Sequence, residues 1–113
     1  MHEVGIIQNT LDLALETARS SGARQIHQLR LRVGAMTGVV PEALLFAFDV
    51  VRAGTIASDA RLEVENVPAA CWCAICQSEF HSEDSLYECP RCGAMSSELR
   101  HGLELDLVSM EIS

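Results

Sequence analysis

The sequence predicts an α+β fold in which two helices pack on a three-stranded β-sheet, with a four-cysteine lobe inserted before the last strand. Three observations predict it. Helical and strand periodicities alternate through the first 68 residues, all five cysteines lie between positions 71 and 92, and one further strand pattern follows them. We therefore assign residues 1–68 plus 101–113 to an α/β domain and residues 69–100 to a metal-binding domain.

Two segments have the periodicity of amphipathic helices. Residues 4–21 place apolar side chains on one face at three- and four-residue steps, at Val4, Ile7, Leu11, Ala14 and Ala18. The second helix begins at Pro41-Glu42, because proline is favoured at the first helical position and an acid in the first turn. Its predicted apolar face consists of Leu44, Leu45, Phe48 and Val51.

Three segments alternate as half-buried strands do. The first is Leu29–Val33, in which two arginines separate the apolar positions, and the second is Arg61–Val67. The last is Leu103–Ile112, where the apolar phase shifts between Leu107 and Val108. This shift predicts a β-bulge or a change of sheet face at that point.

The charge balance argues against nucleic acid as a partner. Sixteen acids oppose eight bases, every base is arginine, and the net charge is −8. A phosphate-binding surface needs clustered positive charge, whereas these arginines are spread singly along the chain. No apolar run approaches the ~20 residues that span a bilayer, and no secretory signal is visible. We expect a cytoplasmic protein that binds no membrane.

The cysteines form two CxxC pairs, Cys73/Cys76 and Cys89/Cys92, with 12 residues between them. In a tight CxxC turn both sulfurs can bind one ion, and two such turns complete a tetrahedron around zinc. Pro90 and Gly93 favour the turn of the second pair. All four positions are filled by protein, so the spacing predicts a structural, zinc-ribbon-like site. Redox or disulfide-forming CxxC pairs and a rubredoxin-like iron site remain alternatives.

Three neighbouring residues are candidates for alternative ligands or for groups that surround the metal. Cys71 lies two residues before Cys73 and could replace it, or it could be a free or half-buried cysteine. His81 and His101 flank the cysteine pairs and could replace a cysteine or titrate near the metal. For both histidines, a solvated surface position is the alternative reading.

Met1-His2-Glu3 can be read as a chelate. The α-amine, the backbone nitrogen of His2 and its imidazole can bind one ion, and the amide nitrogen or carboxylate of Glu3 can supply a fourth donor. Cu(II) and Ni(II) favour such a square-planar site, and the ligands themselves favour copper over nickel. The amine must be neutral, so binding should weaken as the pH falls. An ordinary amino terminus is the alternative reading.

Taken together, these features resemble the HypA/HybF family of hydrogenase-maturation nickel metallochaperones. The matching segments run nearly from end to end. They are Met1-His2-Glu3, the turn at Val33-Gly34, Gly38-Val39-Val40-Pro41-Glu42-Ala43-Leu44, Phe46-Ala47-Phe48, Gly54-Thr55, the two CxxC pairs, and the strand from Leu103-Glu104-Leu105 to Ser109-Met110-Glu111-Ile112.

The resemblance implies a carrier and not an enzyme. It implies Ni(II) at Met1, His2 and Glu3 of a nickel-binding α/β domain, and zinc at Cys73, Cys76, Cys89 and Cys92. It also implies a nickel-inserting GTPase as partner and the [NiFe] hydrogenase large subunit as client, with urease as a further client in some organisms. In the family the zinc lobe is thought to respond to pH or nickel, and His81 and His101 are the positions that could match.

Two other classes of function remain as alternatives. A zinc-ribbon module for protein or nucleic-acid interaction explains the cysteines but neither the acidic surface nor the terminus. A thiol oxidoreductase or zinc hydrolase lacks an open metal position and a nucleophile–base pair. The sequence leaves both a monomer and a homodimer open.

Overall fold

The computed structural model describes residues 3–81, 87–96 and 98–113. Within them, two helices and six strands follow the chain in the order α1 (Glu3–Ser20), β1 (Ile26–Gly34), α2 (Pro41–Val51), β2 (Arg61–Val67), β3 (Ala70–Cys73), β4 (Ser78–His81), β5 (Glu98–His101) and β6 (Leu105–Ile112). The strands form two three-stranded sheets, with the orders β2-β1-β6 and β4-β3-β5. The predicted α+β class, with two helices on a three-stranded sheet, is confirmed.

The first sheet and the two helices enclose the main core. β1 lies in the centre, parallel to β2 and antiparallel to β6, so α2 is the crossover between two parallel strands. Four of the five residues predicted for the apolar stripe of α1 are buried, namely Ile7, Leu11, Ala14 and Ala18. Val4 was predicted wrongly: it lies in the first turn of α1 and is 61% exposed. Leu29 and Leu31 of β1 are buried against the same cluster.

The other face of this sheet carries a ladder of charges. Arg30 pairs with Glu63 across β1 and β2 at 3.1 Å, and Arg32 pairs with Glu65 at 3.6 Å. All four side chains are substantially exposed, so each ion pair contributes at most about 1 kcal/mol. The alternation of the strands thus puts apolar residues under the helices and charges in water, as predicted.

The predicted irregularity in β6 is a β-bulge. Arg30 of β1 is opposite Ser109, whereas the next residue, Leu31, is opposite Leu107. Val108 is therefore the extra residue of the bulged strand. The bulge keeps Leu107 and Met110 on the core side although they are three positions apart, a spacing that would put them on opposite faces of a regular strand.

Three further details differ from the predictions. Leu45 is 41% exposed and does not belong to the buried face of α2, because Leu44, Ala47 and Phe48 already occupy that face. The last strand begins at Leu105 rather than two residues earlier. The residues of the zinc-ribbon-like lobe, for which the sequence predicted no individual strands, contain β3, β4 and most of β5, and these strands form a second sheet.

The two sheets meet where β1 ends. The Gly34 N–H donates to the carbonyl oxygen of Glu104 at 2.7 Å, and the Met36 N–H donates to that of Gly102 at 2.7 Å. Gly102 has φ +127°, a conformation that side chains rarely adopt, and it separates β5 from β6. Among the described residues, neither helix is long and apolar enough to cross a membrane.

Candidate metal centre

The four predicted cysteines come together in the second sheet and its adjoining loop. The Sγ atoms of Cys73, Cys76, Cys89 and Cys92 all lie within 4.8 Å of one another. Cys73 and Cys92 are 3.6 Å apart, and Cys76 and Cys89 are 3.9 Å apart. Four sulfurs around one ion at ~2.3 Å would be separated by about 3.8 Å, so the cluster fits a tetrahedral thiolate site.

Each CxxC pair makes a tight turn that aims both of its sulfurs inward. In the first turn, the Cys76 N–H donates to the Cys73 Sγ at 3.4 Å. In the second, the Gly93 N–H donates to the Cys89 carbonyl oxygen at 2.9 Å. The residue after each pair is left-handed, with φ 74° at Gly93 and 54° at Gln77. The positive φ of Gly93 agrees with the turn predicted for the second cysteine pair. The left-handed conformation of Gln77 was not predicted, because the sequence has no glycine at that position.

The small sheet holds the first pair in place. Cys73 ends β3 opposite Ser78 of β4. The Ser96 hydroxyl donates to the Trp72 carbonyl oxygen at 2.6 Å, and the Arg100 guanidinium lies 4.3 Å from the centre of the Trp72 ring. These supporting contacts join residues far apart along the chain, and no sequence motif pointed to them.

Contacts within the cluster shift the pKa values of three thiols in different directions, namely those of Cys76, Cys89 and Cys92. Hydrogen bonding with Cys92, together with desolvation, raises the pKa of Cys76 to about 12. The backbone N–H of Cys92, opposed by desolvation, lowers the pKa of Cys89 to about 7. At Cys92, the backbone N–H of Ala94 lowers the pKa, but the contact with Cys73 and desolvation outweigh it, so the pKa is raised. The cluster therefore keeps protons that a bound cation would displace.

Cys71 stands apart from the four-sulfur cluster. It faces the same side of β3 as Cys73 but lies one pleat further along, opposite Phe80 and Leu99. It is buried, and desolvation raises the pKa of its thiol. Cys71 thus packs as a small apolar side chain in this arrangement.

Neither candidate histidine belongs to the cluster. His81 and His101 flank Ala70 from the two neighbouring strands, at the end of the sheet away from the cysteine turns. The His101 Nδ1 lies 3.0 Å from Glu104 Oε2, and the His81 Nδ1 lies 3.3 Å from the Ala69 carbonyl oxygen. Both side chains contact the junction between the sheets rather than the sulfurs.

Of the predicted amino-terminal chelate, Met1 and His2 lie outside the described residues. Glu3 is the first residue of α1. One oxygen of its carboxylate accepts a hydrogen bond from the backbone N–H of Val40 at 3.2 Å. Val40 immediately precedes α2 and has no side-chain cap of its own. The first residue of α1 is thereby bonded to the start of α2.

The fold and the cluster define a small metal-binding protein: an α/β unit joined to a sheet that presents four convergent thiols. Comparison with known proteins identifies the family. Residues 1–112 match the family model described as "Hydrogenase/urease nickel incorporation, metallochaperone, hypA". The chain belongs to this HypA family of nickel metallochaperones, whose members are carriers and not enzymes.

Several relatives match over nearly their whole length. A protein of a Picosynechococcus species named "Hydrogenase maturation factor HypA" is 45% identical over 112 residues, 99% of each chain. A Roseiflexus protein with the same name is 39% identical, over 98% of this chain and 91% of its own.

Two solved structures share the fold. The solution structure of the Ni metallochaperone HypA from Helicobacter pylori has a TM-score of 0.70 at 23% identity and covers 99% of this chain and 97% of its own. A second, titled "Solution structure of HypA protein", has a TM-score of 0.74 at 22% identity and covers 100% of this chain and 97% of its own.

Proposed function

We propose that this chain binds Ni(II) through Met1, His2 and Glu3 and delivers it, with a nickel-inserting GTPase, to the [NiFe] hydrogenase large subunit. Hydrogenase is the favoured client because the Picosynechococcus and Roseiflexus relatives are named as hydrogenase maturation factors. Urease is a second client that the family description supports. The proposal places this function in the cytoplasm, where thiols stay reduced and available for metal.

The four cysteines, in this proposal, hold a structural zinc ion. Their spacing supports tetrahedral binding without an open position, and tetrahedral coordination by four thiolates suits zinc or iron. The ion supplies folding energy, on the order of 10 kcal/mol, to a lobe with a small apolar cluster. Cys71, His81 and His101 would then surround the lobe without binding the ion.

The observation that carries the nickel proposal is the position of Glu3 in the first turn of α1. The first four N–H groups of a helix have no acceptor within the helix. Since Glu3 lies in that turn, its backbone nitrogen donates to no carbonyl of α1. A metal can therefore displace the Glu3 amide proton without breaking a hydrogen bond of α1.

The contact with Val40 favours the Glu3 amide nitrogen over its carboxylate as fourth donor. Binding nickel through the bonded carboxylate oxygen would cost the 3.2 Å hydrogen bond to Val40. The amide nitrogen can bind without breaking that bond to Val40, and it completes a square plane with the other three nitrogens. Glu3 would thus bind through its backbone and position the terminus through its side chain.

Calorimetric nickel titration of tag-free protein tests this proposal, with Met1 confirmed by mass spectrometry. We expect about one nickel per chain, and loss of that binding in His2→Ala. The matched control is His27→Ala, which removes an exposed imidazole 2.7 Å from the Ser113 hydroxyl. If His2→Ala binds nickel like the native chain, the terminus is not the site, and His81 and His101 become the residues to test.

A further inference from the structure

The outward side of α2 carries an apolar surface that the fold does not use. Phe46 is 73% exposed, Val50 is 62% exposed and Leu45 is 41% exposed. The opposite side of the same helix already supplies Leu44, Ala47 and Phe48 to the core. Contiguous exposed apolar side chains of this kind mark interaction sites more often than they serve stability.

The charges that α2 itself carries on this side are both negative. Glu42 and Asp49 are both exposed, and α2 contains no basic residue. Two arginines line the groove beside Leu45 and Asp49, and both are engaged within the fold. Arg52 is held by Asp49 at 3.2 Å and by the Ala60 carbonyl oxygen at 2.6 Å, and Arg61 donates to the Gln28 side-chain oxygen at 3.1 Å. A partner that covers this surface must therefore offer apolar side chains flanked by positive charge.

The same surface begins beside the proposed nickel site. α2 starts one residue after Val40, whose N–H is bonded to Glu3. Val40 is itself 49% exposed, and Val4 of α1 is 61% exposed. A protein docked along α2 would thus contact the residues that hold the terminus, and could displace the Glu3 side chain as nickel leaves.

We propose that Leu45, Phe46 and Val50, with Glu42 and Asp49 beside them, form the docking surface for the nickel-accepting partner, and that the partner's segment carries apolar anchors between Arg or Lys residues. The identity of that partner rests on the proposed function, which makes it the nickel-inserting GTPase. Phe46 is the central anchor, because buried aromatic side chains dominate interface energies.

The test measures binding of the zinc-loaded full chain to purified GTPase from the same organism by calorimetry at two salt concentrations. Phe46→Ala should weaken binding at least about tenfold. Glu42→Lys should also weaken it, and should reduce its salt dependence. The controls are Leu103→Ala, which truncates a 65% exposed side chain that lies beside Leu99 and His101, and Glu111→Lys, on the open face of the first sheet; both should bind like the native chain.

Two further measurements separate the outcomes. Nickel affinity of Phe46→Ala should be unchanged, so a failure of docking is distinguishable from a failure of the nickel proposal. Unchanged GTPase binding in Phe46→Ala and Glu42→Lys overturns the docking surface. Sedimentation in which Phe46→Ala dissolves a dimer while GTPase binding persists overturns it too, because the occupant is then a second copy of the chain.

Discussion

Gly34, the last residue of β1, lies directly against the backbone of Gly102, the residue that separates β5 from β6. A Cβ atom on Gly34 would overlap the Gly102 carbonyl group and would lie 2.6 Å from the Leu103 nitrogen. All of these neighbours are backbone atoms, so none can move aside as the end of a side chain can. The two sheets can therefore meet at this point only because position 34 has no side chain.

Gly34→Ala should lower the free energy of unfolding by about 1–3 kcal/mol or more, since the added methyl group must push the two backbones apart. Urea denaturation of the zinc-loaded protein measures it. Gly5→Ala is the matched control, because a Cβ there meets nothing within 4 Å and α1 gains a better helix former. That variant should be about 0.5 kcal/mol more stable. If Gly34→Ala were as stable as the native protein, the close packing of Gly34 against Gly102 would be contradicted.

Glu3→Ala should lower the free energy of unfolding by about 1 kcal/mol, because the Val40 N–H loses its acceptor at the start of α2. Glu3→Gln retains a side-chain oxygen and should lose less. Both are compared by urea denaturation of nickel-free protein. Should the two variants lose the same free energy, the bond to Val40 contributes nothing to stability. Glu3→Gln should also bind nickel normally if the amide nitrogen is the donor.

Removing zinc with a chelator should unfold residues 69–100 and leave the helices folded, if these residues form a separate domain. Trp72, the one tryptophan of the chain, reports on the lobe by its fluorescence, and α1 and α2 report on the rest by circular dichroism. We expect the Trp72 emission to shift to longer wavelength while the helical signal persists. Simultaneous loss of both signals would mean that the two sheets unfold as one unit.

Cys73→Ser should likewise lose zinc, whereas Cys71→Ser should retain it. The two thiols are buried on the same strand, but only Cys73 belongs to the four-sulfur cluster. The zinc content per chain, measured by elemental mass spectrometry, shows which of the two thiols binds the metal. Zinc loss in Cys71→Ser would place Cys71 among the ligands, as in the alternative in which it replaces Cys73.

Zinc binding should release at least two protons per chain at pH 7. Cys76, with a pKa of about 12, and Cys92, whose pKa is raised, both hold protons that the metal displaces. Calorimetry in two buffers of different ionisation enthalpy counts them. Zinc affinity should fall as the pH drops from about 7 to 5, because protons then compete for every thiolate. Binding without proton release would contradict the assignment of all four thiols as ligands.

In any metal-free lobe that is still folded, the pKa shifts of Cys89 and Cys76 make stability depend on pH in opposite directions. The lowered pKa of Cys89 contributes stability above its ordinary value of 9.0, and this contribution is lost as the pH falls through about 7. The raised pKa of Cys76 contributes below 9.0 and is lost as the pH rises towards about 12. Metal binding replaces both effects by favouring the thiolate at every ligand.

Local patterns predicted the regular elements of the larger sheet well. The apolar stripe of α1 and the bounds of β2 follow from periodicities of 3.6 and 2, which are properties of consecutive residues. The phase shift at Val108 located the bulge for the same reason. The short strands β3, β4 and β5 were missed because four residues are too few to establish a period, and their pairing partners are distant in the chain.

The sequence by itself determined the chemistry of this protein: two CxxC pairs at metal-binding spacing, an acidic surface, and the order of segments by which the family is recognised. Only the tertiary structure decided where that chemistry lies. It placed Cys71 outside the cluster, turned Phe46 to solvent, and joined Glu3 to Val40 across 37 residues. The reason is physical: spacing constrains residues within one turn or strand, whereas contacts between elements depend on how their faces pack.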